Sequence, residues 1–304
     1  MAARRHRPPR HPHRPAARRR PPRHRPRHRL PGRRRRHRHP RRHHHRRRHD
    51  RRLRRPDRRR RPHPGAWNAV LSTTLVLKGS SDHLIRDPAG VVYCHRGPGD
   101  TWLPGGASSS GAGVISQYFH GENLDVLTDQ AAALDPDAVA HPLVSTGGER
   151  FPFHAPEAEP FILGDVPTRA TAFHSYLLGV ACLERLCFDY LDLLGARTDG
   201  PLTYTGGAAR NTYWCRLRAE VLGRTVHVPE HAEGGLGMAV LAATSSGATL
   251  TEAATAMVRP APRSAPPPTA PPLPPVYHRF VDELTRRGWL APAVADHALR
   301  RAAQ

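Results

Sequence analysis

Residues 1–63 decide which part of this chain can fold around a core. Of these positions, 30 are Arg, 12 His and 11 Pro, and Leu30 and Leu53 are the only large aliphatic residues after Met1. A segment with so little apolar surface cannot offset the conformational entropy lost on ordering, and its like charges repel one another, so the composition predicts a disordered basic tail. The 304-residue chain has a formal net charge of +23, but the tail alone accounts for +28 and residues 64–304 carry −5. The foldable part is therefore mildly acidic, and nothing in it suggests a nucleic-acid-binding fold. The tail has no aromatic residue on which a base could stack, so it is expected to hold nucleic acid only non-specifically, by neutralising phosphates. His43, His44 and His45 stand together, yet a defined metal site needs fixed geometry that such a tail cannot supply, and no metal site is expected.

The remaining 241 residues suffice for one core. Cys94, Cys182, Cys187 and Cys215 form no CxxC pair and sit in apolar surroundings, which predicts reduced thiols rather than disulfides or metal ligands. No apolar run reaches the roughly 18 residues of a membrane span, and the Arg-rich start lacks the apolar centre of a signal peptide; a cytoplasmic protein without membrane contact is expected.

After Pro64 the pattern changes abruptly. The β-branched run over 69–78 reads as a strand or hairpin, and 91–95 as a second strand. The small-residue segment GGASSSGAG at 105–113 reads as a loop leading into a helix at VISQYF, and residues 125–142, acidic and Pro-containing, as a surface excursion. FILGD at 161–165 is a short run that ends in VPT, where a helix can start. Phe173, Leu177, Val180, Leu183, Cys187, Leu191 and Leu194 recur at spacings of three or four before Gly195, which predicts a long amphipathic helix with Glu184 and Arg185 as a solvated face or an ion pair. Then follow strand 202–205, helix 211–222, strand 225–228 and helix 233–244, an alternation that places the chain in the α/β class. The expected divisions are the tail (1–63), a domain over 64–259, a Pro-rich linker (260–275) and a C-terminal helical segment (276–304) that docks back through Tyr277, Phe280, Leu284 and Trp289.

The block YTGGAARNTYWCRLRAEVLGRTVHVPEHAEGGLGMAVLAAT at 204–244 closely resembles the C-terminal domain of the FGGY carbohydrate kinases. WNAVLSTTLVLKG, WLPGGASSSGAG, GERFPF, LLGVACLERLCFDYLDLLGA and VYHRFVDELTRRGWL resemble further segments of the xylulokinase- and ribulokinase-like branch, in the same order. The resemblance implies an actin-like, ribonuclease H-like ATPase lobe that works with ATP and Mg2+ on a ketopentose or polyol. It also implies an adenosine site at Gly206, Gly207, Ala208 and Asn211, with Gly237 close by, and a phosphate hairpin at Ser72, Thr73 and Thr74. The residue types suit that chemistry. Glycine lets backbone approach a ligand closely, a helix start presents N–H groups, and hydroxyls beside turn amides hold phosphate oxygens. Ser72 and Ala208 stand where the family usually has Gly, each adding a Cβ beside the nucleotide.

The family's N-terminal phosphate loop of DxGT type does not occur, nor does its catalytic Asp in a TDG-like context shortly upstream of the hairpin. Asp50 falls at a suitable distance before Trp67, but among Arg and His neighbours the match reads as coincidence, leaving the catalytic residue unassigned. Lys78 is the only Lys among 48 basic residues. That bias suggests GC-rich codons, under which an out-of-frame stretch yields Arg, Pro and His. The expected function is accordingly a carbohydrate kinase lobe, truncated and catalytically incomplete. The alternative is a non-catalytic module whose tail binds nucleic acid or another polyanion.

Overall fold

The structure, a computed structural model, describes residues 64–97, 100–134, 137–230, 234–265 and 275–303. The expectations for the tail, His43 to His45 and Asp50 lie outside the described residues. A turn at Pro64 and Gly65 starts β1 (Trp67–Leu71) and β2 (Leu75–Gly79), which pair antiparallel with Leu71 opposite Leu75. Residues alternate between buried and half-buried along both, so the period of two sends Trp67, Ala69, Leu71, Leu75 and Leu77 into the core. Then come β3 (Tyr93–Arg96), β4 (Trp102–Ala107), α1 (Gly113–Tyr118), α2 (Leu124–Ala132), β5 (Val139–His141), β6 (Phe161–Leu163), α3 (Arg169–Leu193), β7 (Leu202–Thr205) and α4 (Thr212–Leu222). The chain continues through β8 (Val226–Pro229), α5 (Gly234–Ala243), α6 (Leu250–Met257), β9 (Pro260–Ala265), α7 (Pro275–Arg286) and α8 (Pro292–Ala302).

Seven strands form one sheet in the order β3-β4-β2-β1-β7-β8-β9. Within its centre, β4-β2-β1-β7-β8, only β2 runs antiparallel to the rest, as expected of an actin-like, ribonuclease H-like lobe. β5 and β6 pair separately, and α3 contacts β5, α2, α4, α7 and α8.

Several elements depart from the sequence reading. α3 starts as expected, with the Thr168 hydroxyl accepting from the Thr171 N–H, but it is not amphipathic: almost every residue from Ala170 to Leu191 is buried. Packing on several sides explains this, and Gly179 permits it, since a Cβ there would lie 1.8 Å from the Ala140 carbonyl oxygen on β5. Glu184 and Arg185 are therefore buried ion pairs, with Arg218 and Asp189 respectively, and not a solvated face. Residues 125–142 are a surface excursion only in α2; Ala138 to Leu143 are core, because β5 lies against α3. Gly105 and Gly106 belong to β4 rather than to a loop: a Cβ on Gly105 would sit 1.9 Å from the Leu77 carbonyl oxygen of β2. The first six residues of the Pro-rich stretch pair with β8 as an edge strand, the sheet position that tolerates Pro. The C-terminal segment docks as two helices, with Tyr277, Phe280, Leu284 and Trp289 buried. Cys182, Cys187 and Cys215 are buried free thiols, whereas Cys94, on outer strand β3, is half-exposed. Among the described residues no helix is long and apolar enough to cross a membrane.

Candidate functional site

The strand-turn-helix at β7–α4 is built around one backbone conformation. Gly206, with φ of +89° and ψ of 173°, lies in a region open essentially to glycine alone, and a Cβ on it would lie 2.4 Å from the Leu71 carbonyl oxygen. The strain and the close approach belong to Gly206 and not to Gly207: no atom lies within 4 Å of the position a Cβ would take on Gly207. A short 3-10 turn, Gly207–Arg210, then leads to Asn211, whose carboxamide oxygen caps α4 by accepting the Trp214 N–H at 2.9 Å. The same side chain donates to the Thr128 hydroxyl on α2 at 2.9 Å, so Asn211 fixes the mouth of α4 to α2. Beneath the turn, burial pushes the Cys215 thiol pKa up, and the protonated Sγ faces the Ala209 carbonyl at 3.5 Å, which makes it a packing residue.

In front of the turn lies a cavity of about 550 Å3. One side is Gly207, Ala208 and Asn211. The other sides are Ala112, Ile115 and Ser116 from α1 and its lead-in, and Leu124, Asp125, Thr128 and Asp129 from α2, with Phe173 and Leu177 of α3 behind. The volume falls in the range of small-molecule sites, and the lining is the usual one of apolar surface with a few polar groups. Gly237, in α5 with open space around it, is not part of this wall, nor are Ser72, Thr73 and Thr74.

The hairpin turn is nevertheless joined to the cavity. The Ala112 and Gly113 amides donate to the carbonyls of Ser72 and Thr73 at 2.9 and 3.0 Å. The Leu75 amide donates to the Ser110 carbonyl at 2.8 Å, and the Ser108 amide to the Leu75 carbonyl at 2.9 Å. Segment 108–113 thus wraps the turn, and Gly111 lets it come close, since a Cβ there would be 2.6 Å from Thr74 Cα. In a trans peptide the N–H points opposite the carbonyl, so tying down the carbonyls of Ser72 and Thr73 turns the N–H groups of Thr73 and Thr74 away from this segment. Ser72 and Thr73 are themselves exposed.

Sequence reasoning missed two features. The first is the α1–α2 wall, although Asn123 does supply a capping signal, its side chain accepting the amides of Asp125 and Val126. The second is Glu149, fully buried, which carries no shape or spacing signal of its own. Its carboxylate accepts from the Ser108 hydroxyl (3.0 Å to each oxygen), the Ser109 amide (2.6 Å), the Ser110 hydroxyl (2.7 Å) and the Arg150 amide (2.9 Å). His141 Nε2 lies 4.0 Å from it, while His141 Nδ1 donates to the Glu159 carbonyl at 3.0 Å; burial holds this imidazole below its usual pKa and therefore neutral. Among the described residues no three His, Cys, Asp or Glu side chains gather as a metal site.

Comparison with solved structures places the lobe. A xyloylose kinase from Brucella ovis superposes with a TM-score of 0.65 at 24% identity, over 74% of this chain and 49% of that one. A xylulose kinase from Rhodospirillum rubrum gives a TM-score of 0.65 at 20% identity, over 75% and 48%. Glycerol kinase from Plasmodium falciparum with ADP gives 0.54 at 16%, over 63% and 41%. These likenesses show the shared fold, and the chain spans about half the length of the first two or less. Residues 69–246, more than half of the chain, match the family described as the FGGY family of carbohydrate kinases, C-terminal domain. With the sheet order, the strand-turn-helix and that match together, the chain belongs to the FGGY family of carbohydrate kinases.

Proposed function

We propose that this lobe binds ATP with Mg2+, the adenosine lying in the cavity against Gly207, Ala208 and Asn211 with Gly206 shaping the turn that carries them, and the phosphates over the hairpin turn at Ser72, Thr73 and Thr74. The observation that carries the reading is the open face at Gly207, next to a hairpin whose Thr73 and Thr74 amides point away from the segment that binds it. Asp125 and Asp129, on the α2 wall, offer carboxylates to ribose hydroxyls. Mg2+ bound with the triphosphate would neutralise phosphate charge, and the exposed Ser72 and Thr73 hydroxyls are the side chains of this turn that would be available to it. Ser72 and Ala208 each narrow the space left for the nucleotide, so binding is weaker than glycine would allow. Gly237, on α5, is the further nucleotide contact that the resemblance suggests.

In the whole enzyme the γ-phosphoryl passes to a hydroxyl of a ketopentose such as xylulose or ribulose, or of a polyol; xylulose and glycerol stand in the names of solved relatives, and ribulose comes from the sequence resemblance alone. The resemblance puts the sugar contacts and the general base in the half of the relatives that this chain does not span. Phosphoryl transfer rests on positioning between two lobes, with a base within about 3 Å of the attacking oxygen, so the chain alone is expected to bind nucleotide without transferring phosphate.

Calorimetry with ATP–Mg2+ at 50 and 200 mM salt, with coupled ADP release in the presence of xylulose or ribulose, tests this. Expected are ATP binding that changes little with salt and no sugar-dependent ADP. Binding that collapses by orders of magnitude over that salt range would instead support the polyanion-binding tail. Robust turnover abolished by Asp50→Ala would overturn the assignment of an incomplete enzyme.

A further inference from the structure

Glu149 is 0% exposed, and its one ion-pair neighbour among the described residues is a neutral imidazole 4.0 Å away. A buried carboxylate is costly unless hydrogen bonds replace its water, and here every replacement comes from two short stretches, 108–110 and 150–151. The first stretch is continuous with the residues that grip the hairpin turn. Ser108 and Ser110 bond to both sides of Leu75, and the amides two and three residues beyond Ser110 hold the carbonyls of Ser72 and Thr73. We propose that Glu149 is the positioning residue of the phosphate-binding hairpin: its carboxylate locks segment 108–113, and that segment sets the outward direction of the Thr73 and Thr74 amides.

The physical logic is preorganisation. Three serines in a row carry no packing preference that would choose one loop conformation, and Gly111 and Gly113 add freedom on the far side. One acceptor group with several lone pairs, satisfied by hydroxyls and amides from successive residues, selects a single arrangement. The turn then presents its amides without reorganising when phosphate arrives, the condition under which such donors contribute most. Among the described residues the hydrogen bonds of Glu149 go to 108–110 and 150–151 and not to the turn or the cavity wall, so its influence runs through the loop.

The inference rests on the reading of the hairpin as a phosphate site, and the test separates the two. Glu149→Gln keeps the shape but turns an NH2 group toward amide and hydroxyl donors; Ser110→Ala removes one bond and leaves the carboxylate. In the full chain, hydrogen exchange at the amides of Leu75, Ala112 and Gly113 is expected to rise at least tenfold in Glu149→Gln and about threefold in Ser110→Ala, with α4 amides unchanged. The affinity for ATP is expected to fall tenfold or more while that for adenosine stays within twofold. A merely structural role would weaken both ligands equally or raise exchange throughout the lobe, and either result overturns the proposal. So does unchanged exchange at these three amides. If Glu149→Gln does not fold, Ser110→Ala decides by the same readouts. If the wild-type chain binds neither ligand, the phosphate-site reading fails, and local exchange alone decides whether Glu149 holds the turn.

Discussion

Exchanging the two glycines of the β7–α4 turn, one at a time, should separate folding from binding. Gly206 cannot carry a side chain. Its φ and ψ fall in a region that costs a non-glycine residue about 1–3 kcal/mol, and a Cβ 2.4 Å from the Leu71 carbonyl oxygen adds an overpacking cost of about 1–3 kcal/mol because the neighbour is backbone of a central strand. The sum, about 2–6 kcal/mol, corresponds to a Tm loss of about 4–24 °C for a lobe of this size, at roughly 2–4 °C per kcal/mol. Gly207 has ordinary φ, and a Cβ on it would meet nothing within 4 Å, so Gly207→Val should move Tm by less than about 2 °C, as surface substitutions do. Its isopropyl group would nonetheless project into the space assigned to adenosine. Differential scanning fluorimetry and calorimetry on Gly206→Ala and Gly207→Val then give opposite patterns: the first loses stability, the second keeps stability and loses at least tenfold in ATP affinity. A Gly207→Val protein that is folded and binds ATP like wild type would refute the adenosine assignment, and a Gly206→Ala protein with unchanged Tm would refute the backbone argument.

Two further outcomes concern buried charge. Arg218 holds Glu184 in a two-point contact at 2.6 and 2.9 Å and lies 3.7 Å over the Tyr204 ring; burial alone would lower its pKa, but Glu184 and Tyr204 more than offset this, so the guanidinium stays charged. Glu184→Ala strands a guanidinium and should cost about 3–5 kcal/mol in urea unfolding, whereas Glu184→Leu with Arg218→Met should recover most of the loss; a double variant as unstable as the single would contradict this. His141 is buried neutral, with its folded pKa below the unfolded value of about 6.5, so below pH 6.5 the unfolded chain binds the extra proton. Stability contributed by the neutral ring is complete above that pH and falls by up to about 1.4 kcal/mol per unit as pH drops toward the folded pKa. His141→Gln should flatten the profile between pH 6.5 and 5, and equal slopes for the two proteins would exclude His141 as the source.

Local pattern reveals the alternating hairpin at 67–79, the existence of α3 though not its burial on nearly every side, and the glycine turn before α4. It fails where context decides. Ala138 to Leu143 follow acidic residues and include Pro142, so the stretch reads as surface, yet the missing side chain of Gly179 lets the Ala140 backbone of β5 lie on α3. Glu184 looks like a surface charge because its counterpart Arg218, on α4, becomes a neighbour only after packing, whereas Arg185 meets Asp189 one turn further along α3. The GG pair is legible as a ligand turn, but which glycine bears the strained dihedral follows from the approach of Leu71, contributed by a strand far away in sequence. Glu149 is invisible for the same reason, since its bonds reach back to serines that look like an ordinary flexible loop.

The parallel pairing of β1 with β7 also orders events during synthesis. Trp67 lies opposite Leu202, and every element from β2 to α3 must leave the ribosome before that pair can close. Pairings of such long sequence separation form slowly, since the loop entropy is lost before the contact repays it. The turn at Gly206 thus takes shape only after α3 is available, and α3 in turn waits for the last segment made. Asp189, near its C-terminal end, is satisfied by Arg185 but also by the Tyr277 hydroxyl at 2.6 Å and by Arg301. Until α7 and α8 arrive, a nascent lobe carries a helix with a carboxylate short of partners and a bare apolar flank, the condition that recruits chaperones. A ribosome stalled before residue 277 would therefore release an aggregation-prone intermediate rather than a smaller functional lobe.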